Sequence, residues 1–329
     1  MHAAASAPDP ETVLAAARHA AREWGETEIA TRTAHLRRLR LLVTRERAAI
    51  ADRICAEAGK TRAEALISDL LPTLEMIRYL EKNTGRILRP QKRRTPFIYG
   101  RCRSHVDYHP RGVVLVIGPW NNPFQLALVP VVSALAAGNA VILKPSERSP
   151  ETGGLVRQLC NRAGIPDDAV QVVSGAGDTA QALINARPDL VFFTGGTRNG
   201  RAVLETAAEH LIPVTLELGG NDPMIVFADA DLPRAVQAVL YGAFAHAGQH
   251  CVSTKRLYVE SSVYDAFCRQ LTQAARELTR SGAWGRVVDE RAAEHANAQV
   301  RDALDRGASS EHRRVGKEGG PARRSRRST

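Results

Sequence analysis

Cys251 closes the stretch Ala247-Gly248-Gln249-His250-Cys251, a single cysteine behind a Gly-Gln turn. Cysteine is the most nucleophilic common side chain and its thiolate is the reactive form, whereas most isolated cysteines are buried, inert thiols. Glu217 sits between apolar neighbours in Val-Thr-Leu-Glu-Leu-Gly-Gly. Partial burial there would raise its carboxyl pKa and make it a general base near neutrality; a purely structural glutamate is the alternative. Asn121, after Trp120 and before Pro123, offers an amide N–H at the end of a strand. Such a donor suits an oxyanion, and a turn asparagine is the plainer reading.

Two glycine patterns compete for a phosphate-bearing ligand. Gly175-Ala176-Gly177-Asp178-Thr179-Ala180 has the G-x-G-x-x-(G/A) form, but no acidic residue ends a strand about 20 positions later, where a ribose partner belongs. Thr194-Gly195-Gly196-Thr197-Arg198-Asn199-Gly200 also follows a strand and opens a helix, so its amides can face an anion. Either could be an ordinary tight turn. Lys144 and Glu147 flank Pro145-Ser146 after another strand and could hold the hydroxyls of an adenosine ribose, or form an exposed ion pair of little energetic weight. His246, His250 and Cys251 have metal-ligand types, yet no further Cys or His lies near to complete a structural zinc site, and they are read as non-ligands with no metal expected.

These residues need a frame. Apolar residues recur at spacings of three and four from residue 11 to about 89, predicting helices, with Pro72 kinking or breaking the third. Rough alternation from Phe97 to His109 around Tyr99-Gly100 predicts a β-hairpin at a strand edge or subunit contact. Short apolar strands at 113–117, 141–143, 170–173, 190–193 and 214–216 alternate with helices, which predicts an α/β fold with a doubly wound, parallel, Rossmann-like sheet. Ligands bind such sheets at the carboxyl ends of the strands. From Glu217 a second α/β unit follows, with strands at 224–227 and 256–260. The domains expected are a helical region (1–96), the hairpin (97–110), the sheet domain (111–216), the second unit (217–308) and a tail (309–329).

The chain has 329 residues, 44% hydrophobic and 24% charged, which fits a folded chain of about two domains. No apolar run approaches the ~18 residues of a membrane helix, and the start lacks the order of a signal peptide. Five widely spaced cysteines without a paired pattern point to a reducing compartment, read as the cytoplasm. The net charge of +10 would suit nucleic acid, but residues 309–329 hold seven Lys/Arg against two Glu, half of that excess. The charge therefore describes a tail without apolar periodicity rather than a binding face, and no nucleic-acid partner is expected.

Together the motifs resemble those of the aldehyde dehydrogenase superfamily. Pro119-Trp120-Asn121-Asn122-Pro123-Phe124 is similar to its Pro-Trp-Asn signature, and Lys144-Pro145-Ser146-Glu147 to its adenosine-ribose site. Phe193-Thr194-Gly195-Gly196 with Gly200 resembles its cofactor turn, which decides between the two glycine patterns. Leu216-Glu217-Leu218-Gly219-Gly220 resembles its glutamate signature, with Asn221 where Lys is commoner, and Gly248-Gln249-His250-Cys251 its cysteine signature. The resemblance implies oxidation of an aldehyde to an acid. Cys251 would be the nucleophile, Asn121 and the Cys251 amide the oxyanion donors, and Glu217 the activator of water. Trp120, Lys144, Ser146, Glu147, Gly195, Gly196, Gly200 and Leu218 would bind NAD, preferred over NADP because a carboxylate at 147 repels a 2′-phosphate. It most resembles the compact branch acting on medium-to-long aldehydes, whose full-length members form homodimers.

The departure is at the carboxyl end. The family's later Glu-x-Phe-Gly-Pro segment and the rest of its catalytic domain have no counterpart here, and an Arg/Gly/Ser-rich tail follows Ala308. This predicts an incomplete second domain and a truncated or frameshifted reading. Two further readings follow, a cofactor-binding fragment with little or no turnover and a CoA-acylating relative.

Overall fold

The structure is a computed structural model that describes residues 9–281 and 285–308. α1 (Pro10–Glu26) starts on Asp9, whose carboxylate accepts the Thr12 N–H, and buries Val13, Leu14, Ala17 and Trp24. α2 (Ile29–Arg45) and α3 (Arg47–Ala58) follow, and α3 ends on Gly59, whose φ of 71° is the left-handed conformation glycine adopts without a Cβ penalty. α4 (Arg62–Glu64) is a single turn opened by a capping box between Thr61 and Glu64. A π-helical turn (Ala65–Leu70) leads into α5 (Leu71–Ile87). Pro72 does not end this helix. The geometry changes from π to α one residue earlier, and Pro72 takes the second position of α5, where a residue without N–H is tolerated.

The hairpin predicted at 97–109 is displaced. β1 (Gln91–Arg93) pairs antiparallel with β2 (Ser104–Val106), and Phe97–Tyr99 is a 3₁₀ turn in the connection. The alternation that suggested a strand marks exposed residues instead, Phe97 being 96% exposed. The first strand thus follows the helices read to about residue 89, within the region 1–96 named for them.

The parallel sheet is built by β3 (Val113–Ile117), α6 (Gln125–Ala136), β4 (Ala140–Lys144), α7 (Pro150–Arg162), β5 (Val170–Val172), α8 (Gly177–Asn185), β6 (Leu190–Thr194), α9 (Thr197–Glu209) and β7 (Val214–Glu217). Strand order is β5-β4-β3-β6-β7, all neighbours parallel, so the chain winds one way from β3 and then the other way from β6. Every residue of β3 and β4 is buried, as central strands covered on both faces require. Register sets Ile117 beside both Lys144 and Phe193, and Thr194 beside Glu217. The loops after β3, β4, β6 and β7 therefore leave the sheet at one edge, and the switch of direction falls between β3 and β6.

Beyond Glu217, β8 (Asp222–Val226) pairs in parallel with β9 (Thr254–Val259). α10 (Leu232–Phe244) and α11 (Tyr264–Ser281) complete this region, whose own apolar cluster comprises Val226, Val236, Val239, Leu240 and Phe267. Among the described residues β8 and β9 pair only with each other, and Ile225, Phe227 and Tyr258 are exposed. The described residues through Arg286 form one compact unit; α12 (Glu290–Asp305), capped by the Asp289 carboxylate, belongs to a second that begins at Val287. The tail at 309–329 lies outside the described residues. No helix among those described is long and apolar enough to cross a membrane.

Candidate active site

Cys251 is carried by a turn held in an unusual shape. His246, Ala247 and Gly248 have φ of 52°, 54° and 73°, three successive left-handed residues, two of which bear a Cβ. Each such non-glycine residue costs roughly 1–2 kcal/mol and persists only where surrounding contacts enforce it. Those contacts are present. The Glu64 carboxylate accepts the His246 N–H at 2.5 Å, Gln249 donates from its backbone and side chain to the His246 carbonyl, and Lys255 Nζ donates to the Gly248 carbonyl at 2.7 Å. Beyond the turn, Cys251 is half-buried and unpaired with any other cysteine.

The structure brings Asn121 to this turn. Its Nδ2 donates to the Gln249 carbonyl at 2.9 Å, joining the loop after β3 to the cysteine loop and leaving its second N–H available. The glutamate segment arrives from the other side. Gly220 lies so near the Cys251 carbonyl oxygen that any Cβ would overlap it, and only glycine permits the approach. Glu217 itself departs from expectation, because its side chain is exposed. β7 is an edge strand in which Val214 and Leu216 turn inward while Thr215 and Glu217 turn outward, so the apolar neighbours do not cover the carboxylate. The burial expected from its sequence neighbours is absent.

The residues read as cofactor-binding cluster along the same edge. Lys144 is 4% exposed and lies 3.5 Å from the exposed carboxylate of Glu147. Burial pushes the Lys144 ammonium below the ordinary lysine value, and Glu147 pulls it back. Ser146 is buried and its hydroxyl accepts the Arg148 N–H at 3.2 Å, which shapes the turn. Trp120 packs between the Arg148 guanidinium, 5.5 Å from its ring, and His246. A Cβ on Gly195 would stand 2.5 Å from Phe193 Cζ, and one on Gly200 2.7 Å from Leu218 Cδ2, so both glycines and Leu218 belong to one close-packed turn. Gly196 is the N-cap of α9, with open space around it and no side-chain cap on the helix. Thr194 Oγ1 is buried without a partner among the described residues. In α8, by contrast, the Asp178 carboxylate occupies the Thr179 amide. An anionic ligand fits the uncapped start of α9 better than α8, which carries its own negative charge there.

Beneath these loops lies a network that the motifs do not show. Lys60, 5% exposed, donates to Asp69 at 2.5 Å, to Ser68 at 2.9 Å and to Asn122. Asp69 is fully buried and also accepts the Phe124 and Gln125 amides at the start of α6. Desolvation pushes Asp69 up and Lys60 down in pKa, while their pairing pulls each back. Asn122 in turn contacts His250. Burial and then Lys60 push His246 down to about 3 and His250 to about 4, so both rings are neutral near pH 7. Both ring nitrogens of His246 lack a partner among the described residues. No cluster of three or more His, Cys, Asp or Glu among those residues is arranged for a metal.

The sequence pattern of the aldehyde dehydrogenase family matches residues 2–322. The chain belongs to the aldehyde dehydrogenase family. It is 43% identical to a 4,4′-diapolycopene aldehyde oxidase of Methylomonas sp over 300 residues, which are 90% of this chain and 57% of that protein. It resembles the NAD-dependent aldehyde dehydrogenase of Sinorhizobium meliloti at 33% identity and a TM-score of 0.83, covering 92% of this chain and 62% of that one. An NADP-dependent enzyme of E. coli matches at 32% identity and 0.82, covering 91% and 63%. The chain spans 57–59% of the length of the curated relatives it matches.

Proposed function

We propose that this aldehyde dehydrogenase family member oxidises an aldehyde to a carboxylic acid with NAD(P) through a covalent intermediate on Cys251. The observation that carries the reading is the meeting of three separate segments at one turn: Asn121 bonded to the Gln249 carbonyl, and Gly220 against the Cys251 carbonyl. Once its proton has left to solvent, the Cys251 thiolate bonds to the aldehyde carbon, and the electron pair of the C=O bond moves to oxygen, which becomes an oxyanion. The free N–H of Asn121 and the Cys251 amide are the donors for that charge, an effect worth about 10²–10³ in rate per donor. Lys144, Glu147 and the Thr194–Gly200 turn would hold a nicotinamide dinucleotide, whose chemistry would be to accept the hydride that leaves the adduct as a thioester. Glu217 takes a proton from water, whose oxygen attacks the thioester carbon and releases the acid and the Cys251 thiol.

The exposed carboxylate of Glu147 beside Lys144 supports NAD over NADP, since a 2′-phosphate would meet like charge. Medium-to-long aldehydes are the proposed class, in keeping with the name of the Methylomonas relative. Reduced-nicotinamide absorbance with purified protein and a panel of aldehydes tests the reading. Turnover without CoA supports hydrolysis, and dependence on CoA assigns acyl transfer instead. Cofactor binding without turnover on any aldehyde assigns a binding role to this chain.

A further inference from the structure

We propose that Asp69, Lys60 and Asn122 form a positioning relay that fixes His250 as its neutral Nε2–H tautomer and so removes it as a base for Cys251. The inference rests on Cys251 being the nucleophile. The relay starts from an anchored carboxylate. One Asp69 oxygen accepts the amides of Phe124 and Gln125 at 3.1 and 3.2 Å, and the other faces Lys60 Nζ at 2.5 Å. The remaining two protons of the ammonium go to Ser68 Oγ and to Asn122 Oδ1.

An ammonium only donates, so the side of Asn122 that faces Lys60 is its carbonyl. Its NH2 then faces His250 Nδ1, at 3.2 Å. An NH2 group also only donates, so Nδ1 presents its lone pair and the proton of the neutral ring is on Nε2. Four titratable groups bear on this ring. Lys60 and Lys255 oppose a second positive charge, Glu64 favours one, and the neutral His246 ring stands 5.3 Å away. Burial, Lys60 and Lys255 outweigh Glu64 and hold His250 down to about 4.

The consequence is chemical. An imidazole activates a cysteine only by taking its proton on a free ring lone pair. Here Nδ1 is engaged by Asn122 and Nε2 carries the proton, so the ring offers no lone pair for the Cys251 proton. The base work falls to a group outside the His250 ring.

Lys60→Met strips the buried Asp69 of its cation and is expected to impair folding, so an isosteric variant carries the test. Asn122→Asp keeps an oxygen on Lys60 and turns a second oxygen toward His250 Nδ1. Nitrogen-15 NMR of the histidine rings in the full chain is expected to show Nε2–H in the wild type, with no protonation above about pH 5. In Asn122→Asp the proton is expected on Nδ1, with the titration moved up by a unit or more. Iodoacetamide alkylation of Cys251 should then follow the His250 titration in the variant only. Nδ1–H in the wild type, the same tautomer in both proteins, or wild-type alkylation that follows a histidine titration would overturn the relay. None of these readouts uses turnover, so a silent dehydrogenase assay leaves the test intact.

Discussion

Gly220→Ala is the substitution that probes the site most sharply. A Cβ at 220 would overlap the Cys251 carbonyl oxygen by roughly 1 Å relative to ordinary contact, and would also stand 2.7 Å from Asp222 Oδ1. Asp222 opens β8, where it pairs with Thr254, so the Cys251 backbone must yield. A displacement of about 1 Å at a reacting group costs on the order of 10² in rate, and the overpacking costs about 1–3 kcal/mol of stability. The cofactor turn at Thr194–Gly200 is untouched. The expected result is therefore a kcat about 100-fold lower with cofactor Kd unchanged, read by steady-state kinetics, fluorescence titration and thermal denaturation. A kcat within about threefold of the wild type would refute the claim that Gly220 sets the position of Cys251.

Asn121→Ala should lower kcat by about 10²–10³ with little change in KM, because its free N–H acts on the oxyanion rather than on the bound aldehyde; a pure KM effect would place it in substrate binding. Gly195→Ala forces a Cβ to 2.5 Å from the buried Phe193 ring, so the turn must shift and cofactor Kd should rise about tenfold, measured by titration, with Cys251 alkylation unaffected. Stability should fall on acidification because of His246. Its pKa is about 3 folded against 6.5 unfolded, so the unfolded chain takes up the proton first. The contribution is complete above about pH 6.5 and about 2 kcal/mol of it is gone by pH 5, where urea unfolding of His246→Asn should show a shallower pH dependence.

Legibility in the sequence followed the range of each signal. The sheet was readable because β3 and β4 are unbroken apolar runs followed by Gly-, Pro- or Lys-containing turns, and such runs report burial on both faces. Asn121, Cys251 and the α9 turn stood out in the sequence because each is embedded in a local pattern, and the contact of Asn121 with the cysteine turn came only with the fold. The burial expected of Glu217 did not hold because its apolar neighbours in sequence point to the opposite face of the strand, and alternation exposes the residue between them. The hairpin was misplaced because Phe97, Ile98 and Tyr99 look like strand residues although solvent surrounds them. Lys60 and Asp69 were missed because helical periodicity counts apolar residues, whereas their partners, Asn122, Phe124 and Gln125, lie more than fifty positions away. The available hint was an acid beside Leu70, on a helix face that should otherwise be apolar.

The central claim, that Cys251 forms the covalent intermediate and Glu217 activates the water that breaks it, is tested most directly by trapping. The wild type and Glu217→Gln are mixed with NAD and a medium-chain aldehyde, quenched in acid and digested, and the cysteine peptides are weighed. The account predicts an acyl group on the Cys251 peptide that accumulates in Glu217→Gln and turns over in the wild type. An acyl group on Cys55, Cys102, Cys160 or Cys268, or none on Cys251 in the Glu217→Gln protein, would contradict it.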